Sequence, residues 1–331
     1  MSYRIRPGLP LGDEVARVAR KQYDLAIDTL RHQQDGPHEA IHAARKSFKN
    51  LRGLFRLVRD ADPEFFAREN ARVRDIARTL SEVRDAKAMV EALDRLFARE
   101  ATPDNAATLH AIRTRLAERH RSIVNEQTDL DDRIEAAIHG CESGIKALAK
   151  LNLPKNPKKA MAILAAGAAK NYGRAVVALD AAGSSADPDD WHDLRKRIKY
   201  HWMHVKLLSR GWPGEMAIRA KVTNRAGEAL GEDNDLANLG KLVESHPDAI
   251  GTEEEIAILA TLITQARELV ATGHIIDLAG LSEKVDNFCT DIAENPPADA
   301  ESVTAMIETL VEDLKALAEE MTELHKGQTT N

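Results

Sequence analysis

The sequence predicts an all-α protein built as two antiparallel helical bundles, related by internal duplication and a pseudo-twofold axis, with a central basic channel or groove. Three observations carry that expectation. Apolar residues recur with a 3.6-residue period along almost the whole chain. Aromatics make up only 4% of the 331 residues, Ala, Leu, Arg and Glu dominate, and β-branched runs at strand spacing are absent. One chemical pattern, H-x-x-R-K-x-x-K, occurs twice at an offset of 150 residues: it begins at His42 in Ile41-His42-Ala43-Ala44-Arg45-Lys46-Ser47-Phe48-Lys49, and at His192 in Trp191-His192-Asp193-Leu194-Arg195-Lys196-Arg197-Ile198-Lys199.

The first helix is expected over 11–34, with Val15, Val18 and Leu25 on one side, and Asp35-Gly36-Pro37 breaks it. Pro37 suits the first turn of the next helix, which runs to about Arg59 and ends before Asp62-Pro63. Helices follow at 64–82, 85–101, 104–128 and 131–150. Leu153-Pro154-Lys155-Asn156-Pro157 is the clearest linker, near mid-chain. The second half gives helices at 158–181, 189–210, 215–230, 253–273, 276–294 and 299–326. The Ala/Leu stripe over 160–181 reads as core. The expected units are a first bundle repeat at 1–150, a second at 151–295, and an acidic amphipathic helix and tail at 296–331.

Two further matches support duplication. Leu80-Ser81-Glu82-Val83-Arg84-Asp85 aligns with Leu230-Gly231-Glu232-Asp233-Asn234-Asp235, again at an offset of 150. Lys21-Gln22-Tyr23 aligns with Lys170-Asn171-Tyr172, shifted by one. Ordered matches at a nearly constant offset are the mark of a repeated unit.

The hydrophobic fraction of 43% can fill one large core or two smaller ones. Two cysteines, Cys141 and Cys289, in no pair motif argue against a disulfide framework and a Cys-based zinc site. No apolar run approaches the roughly 20 residues of a membrane span, and no apolar leader follows the N-terminus. A cytoplasmic location is expected. The net charge of −7 conceals a gradient: +6 over residues 1–125, +3 over 126–210 and −16 over 211–331. Local potential, not the net value, decides what a surface attracts.

At about 100° per residue, with the motif His as zero, Arg falls at about −60°, the first Lys at about +40° and the second at about −20°. Arg52, Arg56 and Arg59 continue the first stripe, while Phe48, Leu51, Leu54, Phe55 and Val58 occupy the opposite side. In the second motif helix Lys206 continues it, and Trp202 replaces an arginine. Arg17, Arg20 and Lys21, with Lys170 and Arg174 in the counterpart helix, can extend the rim. A solvated helix face ordinarily carries acidic partners at i+4; these stripes have few, and the same quartet recurs in both halves. The combination suits phosphate: Arg offers a planar fork, Lys a compact charge, and His a donor that becomes cationic beside a polyanion. Tyr172 and Trp202 are the few aromatics available to stack bases, which disfavours single-stranded nucleic acid, and no duplex-recognition motif is evident.

These residues resemble the CHAD family, the conserved histidine α-helical domain. The resemblance rests on His42-Ala43-Ala44-Arg45-Lys46, the His192–Lys199 segment, Arg84-Asp85, Leu230-Gly231-Glu232-Asp233-Asn234-Asp235-Leu236 and Ala169-Lys170-Asn171-Tyr172-Gly173-Arg174, and covers roughly 3–295. It implies two helical bundles around a basic channel, binding of inorganic polyphosphate without catalysis, and association with polyphosphate granules. The expected binding residues are His42, Arg45, Lys46, Lys49, Arg52, Arg56, His192, Arg195, Lys196, Lys199 and Lys206, with Arg17, Lys21, Lys170 and Arg174 at the rim. The chain departs from the family at 253–273, which holds one Arg and no Lys, and at His201, Trp202 and His204, where Arg or Lys is usual. The resemblance therefore implies a channel weighted toward the first repeat.

Other chemistries fit less well. His38-Glu39-Ala40-Ile41-His42 matches H-E-x-x-H, but Arg45, Lys46 and Lys49 crowd that face against a divalent cation, Pro188 replaces the first His in the repeat, and no third ligand follows. Glu232-Asp233-Asn234-Asp235 lacks the glycine and distal Glu of a calcium loop; Asp85 and Asp235 are expected to cap helices or orient cations. No phosphate-binding loop, nucleophile elbow or dinucleotide fingerprint is present. No metal, cofactor or catalytic residue is expected. The alternatives are a hydrolase of phosphate chains or esters, and a binder of nucleic acid or acidic protein.

Overall fold

A computed structural model describes residues 3–80, 82–126, 129–185 and 187–268, without the side chains of 82–87 and 123–126. Among the described residues the structure is all-α. The helices are α1 (Leu11–His32), α2 (Pro37–Val58), α3 (Pro63–Thr79), α4 (Glu82–Glu100), α5 (Ala106–Glu126), α6 (Leu130–Ala147), α7 (Pro157–Ser184), α8 (Pro188–Leu208) and α9 (Pro213–Ser245). A further helical stretch, α10, covers 253–268. All belong to one compact unit, Met1–Val270. The expected helices at 276–294 and 299–326, the tail at 296–331, Cys289, and the side chains of Arg84 and Asp85 lie outside what is described.

Local chemistry sets the boundaries. Proline occupies the first turn of α2, α3, α7, α8 and α9, where a missing N–H costs nothing. Asp62 accepts from the Phe65 N–H, Asn156 from Lys159 and Asp187 from Asp189. At the end of α1, Gln33 adopts a left-handed conformation (φ 44°), and Gly36 at φ 89° turns the chain into α2. The boundaries echo the sequence offset: α2 ends at Val58 and α8 at Leu208, while α3 begins at Pro63 and α9 at Pro213.

The described unit contains two main cores and a smaller one. Val15, Tyr23, Phe48, Leu51, Phe55, Val73, Ile138 and their neighbours join α1, α2, α3 and α6. Leu93, Leu96, Leu109, Ile112 and Leu116 of α4 and α5 pack instead with Leu236, Leu239 and Val243 of α9 and Leu259, Ile263 and Ala266 of α10. Each buried Leu, Ile or Val side chain there contributes about 1.5–3 kcal/mol. A small cluster of Ala178, Ala182, Leu194 and Leu230 ties α7 to α8 and α9. Gly167 lets α7 approach α2 closely, since a Cβ there would collide with the Leu57 carbonyl.

Three local expectations change. The helix expected over 215–230 runs on to Ser245. Gly231 does not break it, because backbone hydrogen bonding continues and Leu236, Leu239 and Val243 anchor the later turns in a core. Of the two roles expected for Asp235, capping is excluded because it is interior to a helix, and pairing with a cation is the one seen: it receives Arg95 at 2.7 Å. The alanine stripe of α7 is only partly core: Gly167, Asn171, Ala175, Ala178 and Ala182 are buried, while Ala162, Ala165, Ala166 and Ala169 are exposed. Alanine contributes too little area to identify the buried side.

Candidate functional site

The cationic stripe of α2 is fixed by the burial of its opposite face, where Phe48, Leu51, Leu54, Phe55 and Val58 are all buried. His42 is half-buried near the start of the stripe, and Lys46 and Lys49 are exposed. The Arg45 guanidinium donates to the Ala77 carbonyl of α3 at 2.8 Å. Arg52 donates through Nε to the Asn70 side chain at 3.2 Å. Burial pushes the Arg52 pKa down, and Arg56 and Arg74 push it further, against the opposing effect of Tyr200. Arg56 lies over the Tyr200 ring of α8 at 4.4 Å and the Phe66 ring at 5.9 Å, with its buried Nε lacking a hydrogen-bond partner among the described residues. Arg59 is lowered by burial and then by the nearby charge of Arg174, although Asp60 lies 3.3 Å away.

The α8 stripe rests on α9. Arg195 lies over Gly231, where an added Cβ would come within 3.5 Å of its guanidinium. One turn on, Lys199 lies over Gly227, where an added Cβ would be 3.0–3.2 Å from its terminal atoms. Two glycines one turn apart thus make room for two cations one turn apart. Burial lowers the Lys199 pKa, the charge of Arg195 lowers it further, and Glu228 opposes this. Lys206 lies 4.2 Å from the Trp202 ring centre and is likewise lowered, by burial and then by Arg4. His192 is exposed and hydrogen-bonds the Asn234 side chain.

Other expected site residues have different local surroundings. Arg17 pairs with Glu14 at 2.8 Å and donates to the Arg4 carbonyl. Burial alone would raise Glu14, but hydrogen bonds from Arg17 and Arg6 bring it down to about 2. Lys196 pairs with Asp193 at 3.0 Å, and Lys170 with Asp60 at 2.9 Å. Lys21 is half-buried and Arg174 exposed. Lys170, Arg174 and Arg197 line a groove of about 600 Å³ between α7 and α8, together with Asp190 and Asp193.

The structure adds Tyr200, Arg74 and the Gly227/Gly231 pair to the sequence-derived set. Tyr200 follows Lys199 and falls at about 80° from the motif His, beside the cationic stripe. Gly227-Glu228-Ala229-Leu230-Gly231 spaces its glycines by four, a signal for close side-chain approach. Arg74, on a separate helix, carries no such signal. His201 and His204, noted as departures from the family, are held neutral with pKa values of about 4. Burial is the largest cause for both, followed by Arg219 for His201; at His204 a hydrogen bond to the Gly53 carbonyl opposes the shift. His38 meets His120 edge-on at 6.0 Å, and no group of three or more His, Cys, Asp or Glu among the described residues is arranged to hold a metal ion.

Cations from two helices, with Arg56 and Lys206 against aromatic rings and Lys199 over a glycine, accord with the family comparison. The CHAD domain model matches residues 17–244, and the chain belongs to that family. The family is non-catalytic, the protein is not an enzyme, and membership supports a general polyphosphate-related role. Among solved structures, PptA from Streptomyces chartreusis is similar with a TM-score of 0.52 and 20% identity, over 80% of this chain and 96% of that one. At that identity the likeness concerns the fold. No curated protein matches. No helix among the described residues is long and apolar enough to cross a membrane.

Proposed function

We propose that the chain binds inorganic polyphosphate, without turning it over, on the cationic faces of α2 and α8, and that it associates with polyphosphate granules in the cytoplasm. The observation that carries this reading is that Arg52, Arg56, Lys199 and Lys206 are each partly withdrawn from water, yet none has a carboxylate at ion-pair distance among the described residues. Arg52, Lys199 and Lys206 also have lowered pKa values, with burial the first cause and a neighbouring cation adding to each. An anionic chain offers those groups the charge-assisted hydrogen bonds they lack.

The reading includes two repeats, 1–150 and 151–295, facing each other about a pseudo-twofold axis with a basic channel or groove between them. The second core supports it: Leu93 and Val243, Leu109 and Leu259, and Leu116 and Ala266 are buried there in pairs offset by 150 residues. The 296–331 segment is read as an addition outside the repeats.

The test is a titration with long-chain polyphosphate at increasing salt, with DNA and RNA as competitors. The expected result is saturable binding whose affinity falls steeply with salt through counterion release, little competition by nucleic acid at physiological salt, and no phosphate release with Mg²⁺ or Mn²⁺. Preferential binding of nucleic acid, or metal-dependent phosphate release, contradicts the proposal.

A further inference from the structure

Residues 3–6 run ahead of α1 as a strap that is held at every position. The Tyr3 hydroxyl donates to the Asn50 carbonyl of α2 at 2.6 Å. The Arg4 carbonyl accepts from Arg17 of α1 at 2.8 Å. The Ile5 N–H donates to the Leu207 carbonyl of α8 at 2.9 Å, in the last helical turn, where carbonyls lack a partner within the helix. The Ile5 side chain is buried in the first core. Arg6 closes the strap on Glu14, through its backbone N–H at 2.8 Å and its guanidinium at 2.5–2.9 Å. The strap is thus fixed to α1, α2 and α8 without any ligand.

That fixation treats its two arginines differently. Arg6 ends on a carboxylate that is 1% exposed. Arg4 is exposed, and its guanidinium has no ion pair among the described residues. Because the next residue, Ile5, is bonded to Leu207, Arg4 lies at the end of α8 beside Lys206, and its charge adds to burial in lowering the Lys206 pKa. Two cations meet there, and neither has a carboxylate at ion-pair distance among the described residues. The α8 stripe is short of charge at this end. At the offset of 150, Arg52, Arg56 and Arg59 stand opposite Trp202, Lys206 and Ser209, and the Ser209 hydroxyl donates to the Lys206 carbonyl at 2.9 Å. Arg4 brings a cation from outside the helix to the turn where α8 has a serine. The segment at the same offset, Leu153-Pro154-Lys155, has proline in the place of Arg4, so the addition is confined to the α8 side.

We propose that Arg4 is a further polyanion contact, held by the strap beside Lys206 so that the bound chain passes over it where it leaves the α8 stripe. The backbone on both sides of Arg4 is already ordered, so only its side chain loses freedom on binding. This contact rests on the polyphosphate reading and names one end of the path the chain takes.

The test compares Arg4→Ala with Arg6→Ala in the full chain, by titration with a polyphosphate of defined length at several salt concentrations. Each variant removes one positive charge from the same strap, so a difference between them reports contact rather than net charge. Arg4→Ala is expected to weaken binding about three- to fivefold and to make the logarithmic salt dependence shallower by about 0.7–0.9, with the midpoint of denaturant unfolding unchanged. Arg4→Lys should recover most of the affinity. Arg6→Ala should lower the unfolding midpoint and leave affinity within about twofold of wild type. In the ligand-free protein, the Lys206 amine followed by NMR should titrate at higher pH in Arg4→Ala than in wild type. Equal losses of affinity in the two variants overturn the proposal, as does unchanged binding by Arg4→Ala or an unmoved Lys206 titration. A wild type that binds no polyphosphate refutes the polyphosphate reading itself and takes this contact with it, which is distinct from a binding wild type with an indifferent Arg4→Ala.

Discussion

On the α4–α5–α9–α10 side, arginines end on carboxylates: Arg95 on Asp235, Arg99 on Glu232, Arg115 on Glu255 and Arg267 on Asp233, at 2.7–2.9 Å. On the α2–α8 side, Arg52 ends on an asparagine and Arg56 on a tyrosine ring, while Lys206 lies beside a tryptophan. Both surfaces are rich in cations. The first uses its charges to join neighbouring helices, three of the four pairs crossing between the two halves of the chain. The second, on the proposed reading, offers Arg52, Arg56, Lys199 and Lys206 to an anionic ligand, while Lys196 of the same face pairs with Asp193. The acidic partners of the first surface come largely from the strongly negative last third of the sequence, so the charge gradient along the chain becomes a division of labour between surfaces.

That contrast can be broken from the paired side first. Asp233 is 5% exposed, and removing its partner with Arg267→Ala leaves a buried carboxylate uncompensated. The expected loss is about 3 kcal/mol of unfolding free energy, measured by denaturant titration, with polyphosphate affinity unchanged in the folded protein. A somewhat smaller effect should come from pH. His201 and His204 are neutral in the fold, with pKa values pushed down to about 4 by burial, whereas in the unfolded chain they titrate near ~6.5. The unfolded state therefore binds more protons between those values. Stability is fully present above about pH 6.5 and declines toward pH 4, by on the order of 2–3 kcal/mol per residue. Thermal melts of His201→Gln against wild type across that window should show a shallower slope.

On the unpaired side the expected sign reverses. Arg52→Met removes a desolvated cation flanked by Arg56 and Arg74, and should stabilise the ligand-free protein by about 0.5–1 kcal/mol while weakening polyphosphate binding. Denaturation with and without polyphosphate reads both effects; destabilisation with unchanged binding would place Arg52 with the structural arginines. The smallest effect is expected at Gly227→Ala. The added methyl displaces the Lys199 terminus by a few tenths of an ångström and should lower affinity about threefold, roughly 0.7 kcal/mol, with the helical signal intact.

Helices and stripes were legible because period and capping are local. Pro37, Pro63, Pro188 and Pro213 each mark a helix start, and the apolar side of α2 reads directly from Phe48, Leu51 and Phe55. The continuous α9 was not legible, because Gly231 resembles a stop until one sees Arg195 lying over it and a core beyond. The outward face of α7 was hidden for the opposite reason: alanines on both sides of the helix give little periodic contrast. Within the site, the cations themselves were readable from H-x-x-R-K-x-x-K, and so were the i,i+3 pairs of Arg17 with Glu14 and Lys196 with Asp193, because both partners share one helix. That Lys170 meets Asp60, 110 residues away, and Arg56 meets Tyr200 depends on tertiary packing.

The central claim is that the cations of α2 and α8 bind the polyphosphate chain. Its most direct test is calorimetric titration of a polyphosphate of defined length into the wild type and into a Lys46→Glu, Lys49→Glu, Lys199→Glu, Lys206→Glu variant, with circular dichroism confirming the fold of each. Loss of at least about a hundredfold in affinity with an unchanged helical signal is the predicted result. Equal affinity of the folded variant and the wild type would contradict the assignment.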